Sequence, residues 1–260
     1  MFKQLPFRKT LALLAYVHFG FLTSALFPAA AEPLVLSVGT FHLPPYAYSE
    51  DNGKIAGSSI DTLQKLAGLA GLTLDLKMLP WKRAMVQAEA GELDALYPCA
   101  PRPERARAFL FTQTLGKDVV SLVAKRSDDK HWQISSINDI KRHGASLVVL
   151  SGGAIESLLK RAGIKNYITV QEKDPMALMV HLGRVDFALE YQRRLDFDSG
   201  TLGLVDNIIT KPLAEMTYGL CLSRLAQNID GKMVRLNAAI QDLQDTASQT
   251  RVAPDFSEER

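Results

Sequence analysis

The chain has 260 residues, 47% hydrophobic and 22% charged, a composition that excludes global disorder and a coiled coil and allows one large or two mid-sized domains. Thirty Lys and Arg against 28 Asp and Glu give a formal net charge of +2, but Lys3, Arg8 and Lys9 stand in a leader that carries no acid, and without them 27 basic residues face 28 acidic ones. A near-neutral body has no field for nucleic-acid phosphates or an anionic membrane, so no nucleic acid is expected as a partner.

The leader reads as an export signal. Met1 to Lys9 is basic, Thr10 to Phe27 is largely apolar, and Ala29-Ala30-Ala31 supplies a small-residue cleavage pattern, so residues 1–31 are expected to be removed after Ala31. A single membrane anchor is the alternative, because the apolar run approaches the ~18 residues needed to span; Pro28 and the alanines favour cleavage. The expected product is a soluble body of about 229 residues outside the cytoplasm, with no stable membrane anchor. Cytosolic cofactors such as ATP and NAD(P)H are out of reach there, and no cofactor is expected.

Leu34 to Val38 is a short apolar strand, followed by Phe41-His42-Leu43-Pro44-Pro45-Tyr46-Ala47-Tyr48, where two prolines cannot continue a ladder and a loop must carry the aromatics. Asp51-Asn52-Gly53 is a turn, which makes Ala47 to Lys54 a hairpin-like excursion. From Ser59 the spacing becomes helical, with Ile60, Leu63, Ala67 and Ala70 on one face and Gly71 as the stop. Leu72 to Met78 alternates as a strand, and Pro80-Trp81 opens a second helix that runs to Gly91. Strand, helix, strand, helix, strand is the order of an α/β unit with a mostly parallel sheet.

The same plan occurs twice. Ala84 to Tyr97 reads as helix, Gly91-Glu92-Leu93-Asp94, then strand; Ala177 to Tyr191 reads as helix, Gly183-Arg184-Val185-Asp186, then strand. The second helix has Asp174 as N-cap and Pro175 at its first position. Between the copies, Ser146 to Leu150 is an apolar strand, Ser151-Gly152-Gly153 a tight turn and Ala154 to Arg161 a helix. Later, Gly203 to Ile209 and Met216 to Leu222 read as strands, Leu225 to Ala247 as a long helix, and Asp255 to Arg260 as a frayed charged tail. A chain that builds one lobe, crosses to a second and returns would lay two linking strands side by side as a hinge.

Enzyme signatures are sparse. There is no Gly-x-Ser-x-Gly elbow and no His-Glu-x-x-His, and the five histidines form no ligand cluster, so no metal is expected. Cys99 and Cys221 are too few for a disulfide scaffold and lack metal-ligand spacing. Cys99 with His42 could make a nucleophile, against the plainer reading of a small buried thiol. Glu190 and Asp94 could act as acid and base only if both faced one gap; a turn cap beneath its strand is the plainer role for Asp94.

The chain resembles the extracytoplasmic solute-binding proteins of family 3, the amino-acid-binding type that serves ABC transporters. The resemblance rests on Pro44-Pro45-Tyr46 after the first strand, Gly57 to Leu66 opening the first helix, Trp81, Gly91-Glu92-Leu93-Asp94, Pro103-Glu104-Arg105 with Phe109 and Phe111-Thr112, and in the second half Ser151-Gly152-Gly153 and Gly183-Arg184-Val185-Asp186. It implies an α/β fold of two lobes, type II among periplasmic-binding-protein-like folds. Each lobe is then a mixed, mostly parallel sheet flanked by helices, with two hinge strands joining them. The expected division is 32–122 for the first part of lobe 1, 123–210 for lobe 2 and 211–260 for the rest of lobe 1.

The resemblance further implies a monomeric periplasmic protein that closes on a small anionic or zwitterionic solute, an amino acid or small organic acid, and presents it to a membrane permease complex. A sensory or assembly-accessory protein on the same fold is the alternative, and a periplasmic dehydratase or lyase the third; no catalytic residue is assigned. Two positions depart from the family pattern: Gly153-Ala154 stands where a Ser or Thr hydroxyl is usual, and Tyr191 where an Asp holds the ligand ammonium, with Glu190 one residue earlier. Adjacent strand residues face opposite sides, so Glu190 is expected to replace that Asp only through a register shift or bulge.

Nine residues are candidates for ligand binding. The resemblance puts Arg105 at the carboxylate clamp, where a planar guanidinium offers paired donors; on composition alone it is one surface arginine among several. Trp81, at a strand-to-helix corner, can wall a pocket or simply fill the core. Arg83 is either a second anion contact or solvated. Tyr46, Tyr48 and His42 belong to the Pro-Pro loop, as lid or as loop packing. Gly153 sits in a turn whose backbone N–H groups, with the helix dipole, favour an anionic group. On closure the second lobe adds Gly153, Glu190 and Tyr191.

Overall fold

The computed structural model describes residues 34–171 and 175–252; the expected export signal, the expected N-cap Asp174 and the charged tail lie outside the described residues. In chain order the elements are β1 Val35–Thr40, β2 Tyr48–Ser49, β3 Ile55–Ala56, α1 Ser58–Ala70, β4 Thr73–Met78, α2 Trp81–Glu89, β5 Ala95–Cys99 and a 3₁₀ turn Pro103–Arg105. Next come β6 Phe109–Phe111, β7 Gly116–Lys125, a 3₁₀ turn Asp129–Gln133, α3 Ile137–His143, β8 Leu147–Leu150 and α4 Ala154–Arg161. The chain continues through β9 Tyr167–Val170, α5 Met176–His181, β10 Phe187–Tyr191, α6 Gln192–Leu202, β11 Ile208–Ser223 and α7 Ile229–Val252.

Two lobes share one strand path. The order β4-β1-β5-β11-β7-β10-β8-β9 runs through both, with β6 on β11. In the first lobe β1 lies parallel to β4 and β5, and in the second β8 lies parallel to β9 and β10. The long antiparallel pair β7 and β11 is the connection: Ile208 to Tyr218 pair back along Lys125 to Gly116, and β11 then continues to pair with β5 and β6. The expected lobe borders at 122/123 and 210/211 fall inside these two strands.

Gly203 to Ile209 and Met216 to Leu222 are not two strands: one strand covers Ile208–Ser223, and residues 203–207 precede it. Pro212 has no N–H for a ladder, and the pairing absorbs it by a register shift between Pro212 and Ala214. The final helix begins at Ile229, four residues later than its apolar pattern suggests, because residues 224–228 turn the chain out of β11.

Apolar layers cover both faces of each lobe. Helix α1 buries Leu63, Leu66 and Ala67 against Leu36, Val38 and Tyr97 of the sheet, where Leu236 and Ile240 of α7 meet them. Each fully buried Leu or Ile contributes about 2 kcal/mol. Gly71 closes α1 in the left-handed region, as the sequence predicts. The opposite face carries α2 with Phe41, Leu93 and Phe109. In the second lobe Leu147, Val149 and Leu189 face α3 and α4, while Val123, Val148 and Ala188 face α5 and α6.

The repeated Gly-x-x-Asp has one structural job, done twice. Asp94 Oδ2 accepts from the Ser37 amide at 2.8 Å, and the Asp94 amide donates to Ser37 Oγ at 2.9 Å. In the second lobe Asp186 Oδ2 accepts from the Ser146 amide and hydroxyl at 2.8 and 2.7 Å, and its amide donates back to Ser146 Oγ at 2.9 Å. Each aspartate thus ties the turn before one strand to its parallel neighbour. Asp94 also meets the buried Lys232 ammonium of α7 at 2.9 Å. Asp94→Ala would leave that ammonium desolvated and unpaired, and is expected to cost about 3 kcal/mol of unfolding free energy, read from a urea melt. Asp186→Ala is expected to cost less, because its Lys130 partner is exposed.

Candidate functional site

The cleft between the lobes holds two adjoining compartments of about 50 and 40 Å³. Phe41, Pro98, Ala100 and Tyr191 line both, so they form the shared wall. One compartment adds Trp81, Arg105, Gly153, Ile155 and Glu190. The other, at the hinge, adds Tyr46, Ser59, Asp118, Met216 and Tyr218.

Arg105 ends the 3₁₀ turn Pro103–Arg105 and is 6% exposed. Its Nη1 donates to the Ala100 carbonyl at 2.9 Å and lies 3.5 Å from Cys99 Sγ, while the guanidinium carbon stands 5.1 Å from the centre of the Trp81 ring. Among the described residues Nε and Nη2 donate to nothing and no carboxylate forms an ion pair with Arg105. Burial lowers its pKa from the usual arginine value. A cation held in place, stacked on an indole and without a counter-ion is prepared for an anion.

Trp81 starts α2 after Pro80 and packs edge-on against Phe41 at 4.9 Å. Its Nε1 donates to the Gly152 carbonyl across the cleft at 2.8 Å. A second contact between lobes lies outside the cleft, Arg161 Nη1 to Glu104 Oε1 at 3.1 Å.

Glu190 and Tyr191 line the same compartment, contrary to the expectation from strand alternation. The physical reason is position: Tyr191 ends β10, and the Glu190 carboxylate curls forward to accept from the Tyr191 amide at 2.8 Å. Burial pushes the Glu190 carboxyl up to about 7, against the pull of the Tyr191 amide and of Arg194. Burial also raises the Tyr191 phenol.

The anion nest expected at Ser151-Gly152-Gly153 is partly taken by the protein itself. The Gly152 amide donates to Glu156 of α4, and the Gly153 amide to Leu150 O at 3.3 Å. Gly153 nevertheless lines the Arg105 compartment together with Ala154 and Ile155 of the first turn of α4, where helix N–H groups have no intrahelical partner.

The Pro-Pro loop divides. Tyr46 is 3% exposed, and its hydroxyl donates to Asp118 Oδ2, with the Arg193 guanidinium 5.0 Å from its ring centre. Gly57 makes this possible: at φ +124 its missing Cβ would stand 2.3 Å from the Tyr46 carbonyl oxygen. His42 and Tyr48 instead line an outer groove with Glu50 and Phe197, and so do not reach either compartment. Arg83 is exposed on α2 and lines neither, which leaves the solvated reading. Cys99 is 2% exposed and bonded to Cys221, so it is no nucleophile. Asp94 lies under its strand with Lys232, away from Glu190.

Sequence reasoning passed over Asp118, Tyr218 and Met216. All three belong to the β7–β11 ribbon, and Asp118 alone carried a signal, as the one acid in the run Gly116–Lys125.

Two lobes with mixed sheets, a two-strand connection and a cleft lined by a counter-ion-free arginine define a solute-binding fold. The chain belongs to the bacterial extracellular solute-binding proteins, family 3, whose model matches residues 36–253. It is 31% identical over 160 residues to the "Probable amino-acid-binding protein YxeM" of Bacillus subtilis, covering 58% of this chain and 57% of that protein. It is 28% identical over 109 residues to the "Probable amino-acid ABC transporter-binding protein" of Haemophilus influenzae, covering 42% and 40%. The matches thus span about half the length of these curated relatives.

Among solved structures, a histidine kinase sensor domain with similarity to periplasmic binding proteins superposes with a TM-score of 0.72 at 19% identity, over 84% of this chain and 94% of the other. The P235GK mutant of ArgBP from T. maritima gives 0.68 at 15%, over 84% and 92%. At these identities the likeness is one of fold. No helix among the described residues is long and apolar enough to cross a membrane.

Proposed function

We propose that the chain is exported to the periplasm through its leader and captures an amino acid by lobe closure, without changing it chemically. The ligand carboxylate meets the free edge of Arg105 and the first amides of α4, the ammonium meets Glu190, and Trp81 walls the pair. The carrying observation is the pairing of a buried guanidinium without a counter-ion and a buried carboxyl in one compartment. A zwitterion satisfies both; a simple organic acid would leave Glu190 unpaired. Glu190 takes the part usually given to the Asp that Tyr191 replaces. The names of the two relatives support an amino acid as solute, and the second supports delivery to an ATP-driven permease. Closure follows because the ligand touches both lobes and so favours the closed state.

Calorimetric titration of the mature chain with a panel of amino acids tests this, and a panel in which none binds would refute it. The pH profile adds a sharper check. Burial pushes the Glu190 carboxyl up to about 7, whereas ammonium binding needs the carboxylate. Affinity is therefore expected in full above pH 7 and to fall up to ~10-fold per unit as pH drops below it, with proton release on binding. Burial and the Tyr191 amide, then Arg194, Asp198 and Asp118, set the midpoint of this carboxyl, and Arg105 lines the same compartment. Glu190→Gln is expected to bind weakly at every pH and to lose the slope.

Two other uses of the site have one observation each. A carboxyl titrating near 7 suits proton transfer, and a lyase would show turnover abolished in Glu190→Gln. The sensor-domain likeness favours presentation to a receptor, which a neighbouring permease operon would argue against.

A further inference from the structure

The hinge-side compartment carries a charge that the amino-acid head group does not use. Asp118 stands on β7, 8% exposed, with Oδ2 accepting from the Tyr46 hydroxyl and Oδ1 from the Val119 amide at 2.9 Å. Each oxygen keeps acceptor capacity. No described Lys or Arg forms an ion pair with it. Arg193 is the neighbouring cation, but it is exposed, lies over the Tyr46 ring and hydrogen-bonds Tyr218, so water screens much of its field. Around Asp118 the compartment is aromatic: Phe41, Tyr46, Tyr191 and Tyr218.

Resting on the reading that Arg105 and Glu190 hold the ligand head, the side chain runs past the shared Phe41–Tyr191 wall into this second compartment. We propose that Asp118 is the specificity-determining residue there and that the solute is an α-amino acid with a positively charged side chain. An ammonium or guanidinium supplies the counter-charge that the buried carboxylate lacks, and the ring faces favour a cation over an equally long apolar chain. A side-chain carboxylate is rejected by repulsion, and an aliphatic one leaves Asp118 desolvated without a partner.

Calorimetry on the mature chain with matched pairs tests the assignment: lysine against norleucine, which lacks only the terminal ammonium, and arginine against its neutral isostere citrulline. The cationic member of each pair is expected to bind ~30-fold tighter, the size of a charged hydrogen bond. In Asp118→Asn, which keeps the oxygen facing Tyr46, that ratio is expected to collapse to within ~3-fold, while Tyr46→Phe, which keeps the carboxylate, retains the preference. Equal or tighter binding of norleucine or citrulline, or a ratio that survives in Asp118→Asn, overturns the role of Asp118 and leaves amino-acid capture standing. Failure of every amino acid to bind overturns both.

Discussion

Arg105→Ala is expected to abolish ligand-induced stabilisation. At a ligand concentration of about 100 times Kd, the unaltered chain gains ~2.7 kcal/mol, which for a domain of this size raises Tm by roughly 5–10 °C. Without the guanidinium the carboxylate would enter a pocket walled by Trp81, Phe41 and Leu150 with only the α4 amides as donors, and affinity is expected to fall at least ~100-fold. Arg105→Lys is expected to recover little, since a point charge lacks the fork and stacks less well on the indole. Differential scanning fluorimetry with and without ligand reads both variants. An undiminished shift in Arg105→Ala would remove the carboxylate from this compartment, whatever the fold.

The second large effect is covalent. Cys99 ends β5, Cys221 lies in β11, and the register shift between Gly219 and Cys221 brings their Cα atoms to 5.7 Å for a bond spanning 122 positions. Closing a loop of that length restricts the unfolded chain, so loss of the bond in the double variant Cys99→Ala, Cys221→Ala is expected to cost about 4 kcal/mol, roughly 10 °C in Tm. A reductant should destabilise the unaltered chain and leave the double variant untouched. Identical melting of the two proteins would mean the thiols stay apart in solution.

Legibility followed local signals. Helix α1 announced itself through period and a terminal glycine, α2 through Pro80, and the two Gly-x-x-Asp turns through their repetition, because each is fixed by residues a few positions apart. Strand β7 was invisible: it neither alternates nor borders a turn cluster, and its length comes from pairing with β11, about ninety positions away. Helix α6 was also missed, being polar with an internal Ser-Gly and held by Leu195 packing on the sheet. The site divided likewise. Arg105, Trp81, Tyr46, Gly153, Glu190 and Tyr191 reach the cleft from positions the motifs mark, while His42 and Tyr48 were drawn in only by adjacency to Tyr46. Asp118 offered only its standing as the one acid of its run, and its place in the cleft, like the bond between the cysteines, depends on long-range pairing.

The bond from Trp81 to Gly152 ties two events together. The indole that walls the Arg105 compartment is also a clasp between the lobes, so a solute behind it leaves only after the clasp breaks. Lobe opening is then a step that every solute's exit must pass through, and it slows for a solute that bridges the lobes more strongly. Discrimination among solutes would appear in how firmly each one holds the lobes together.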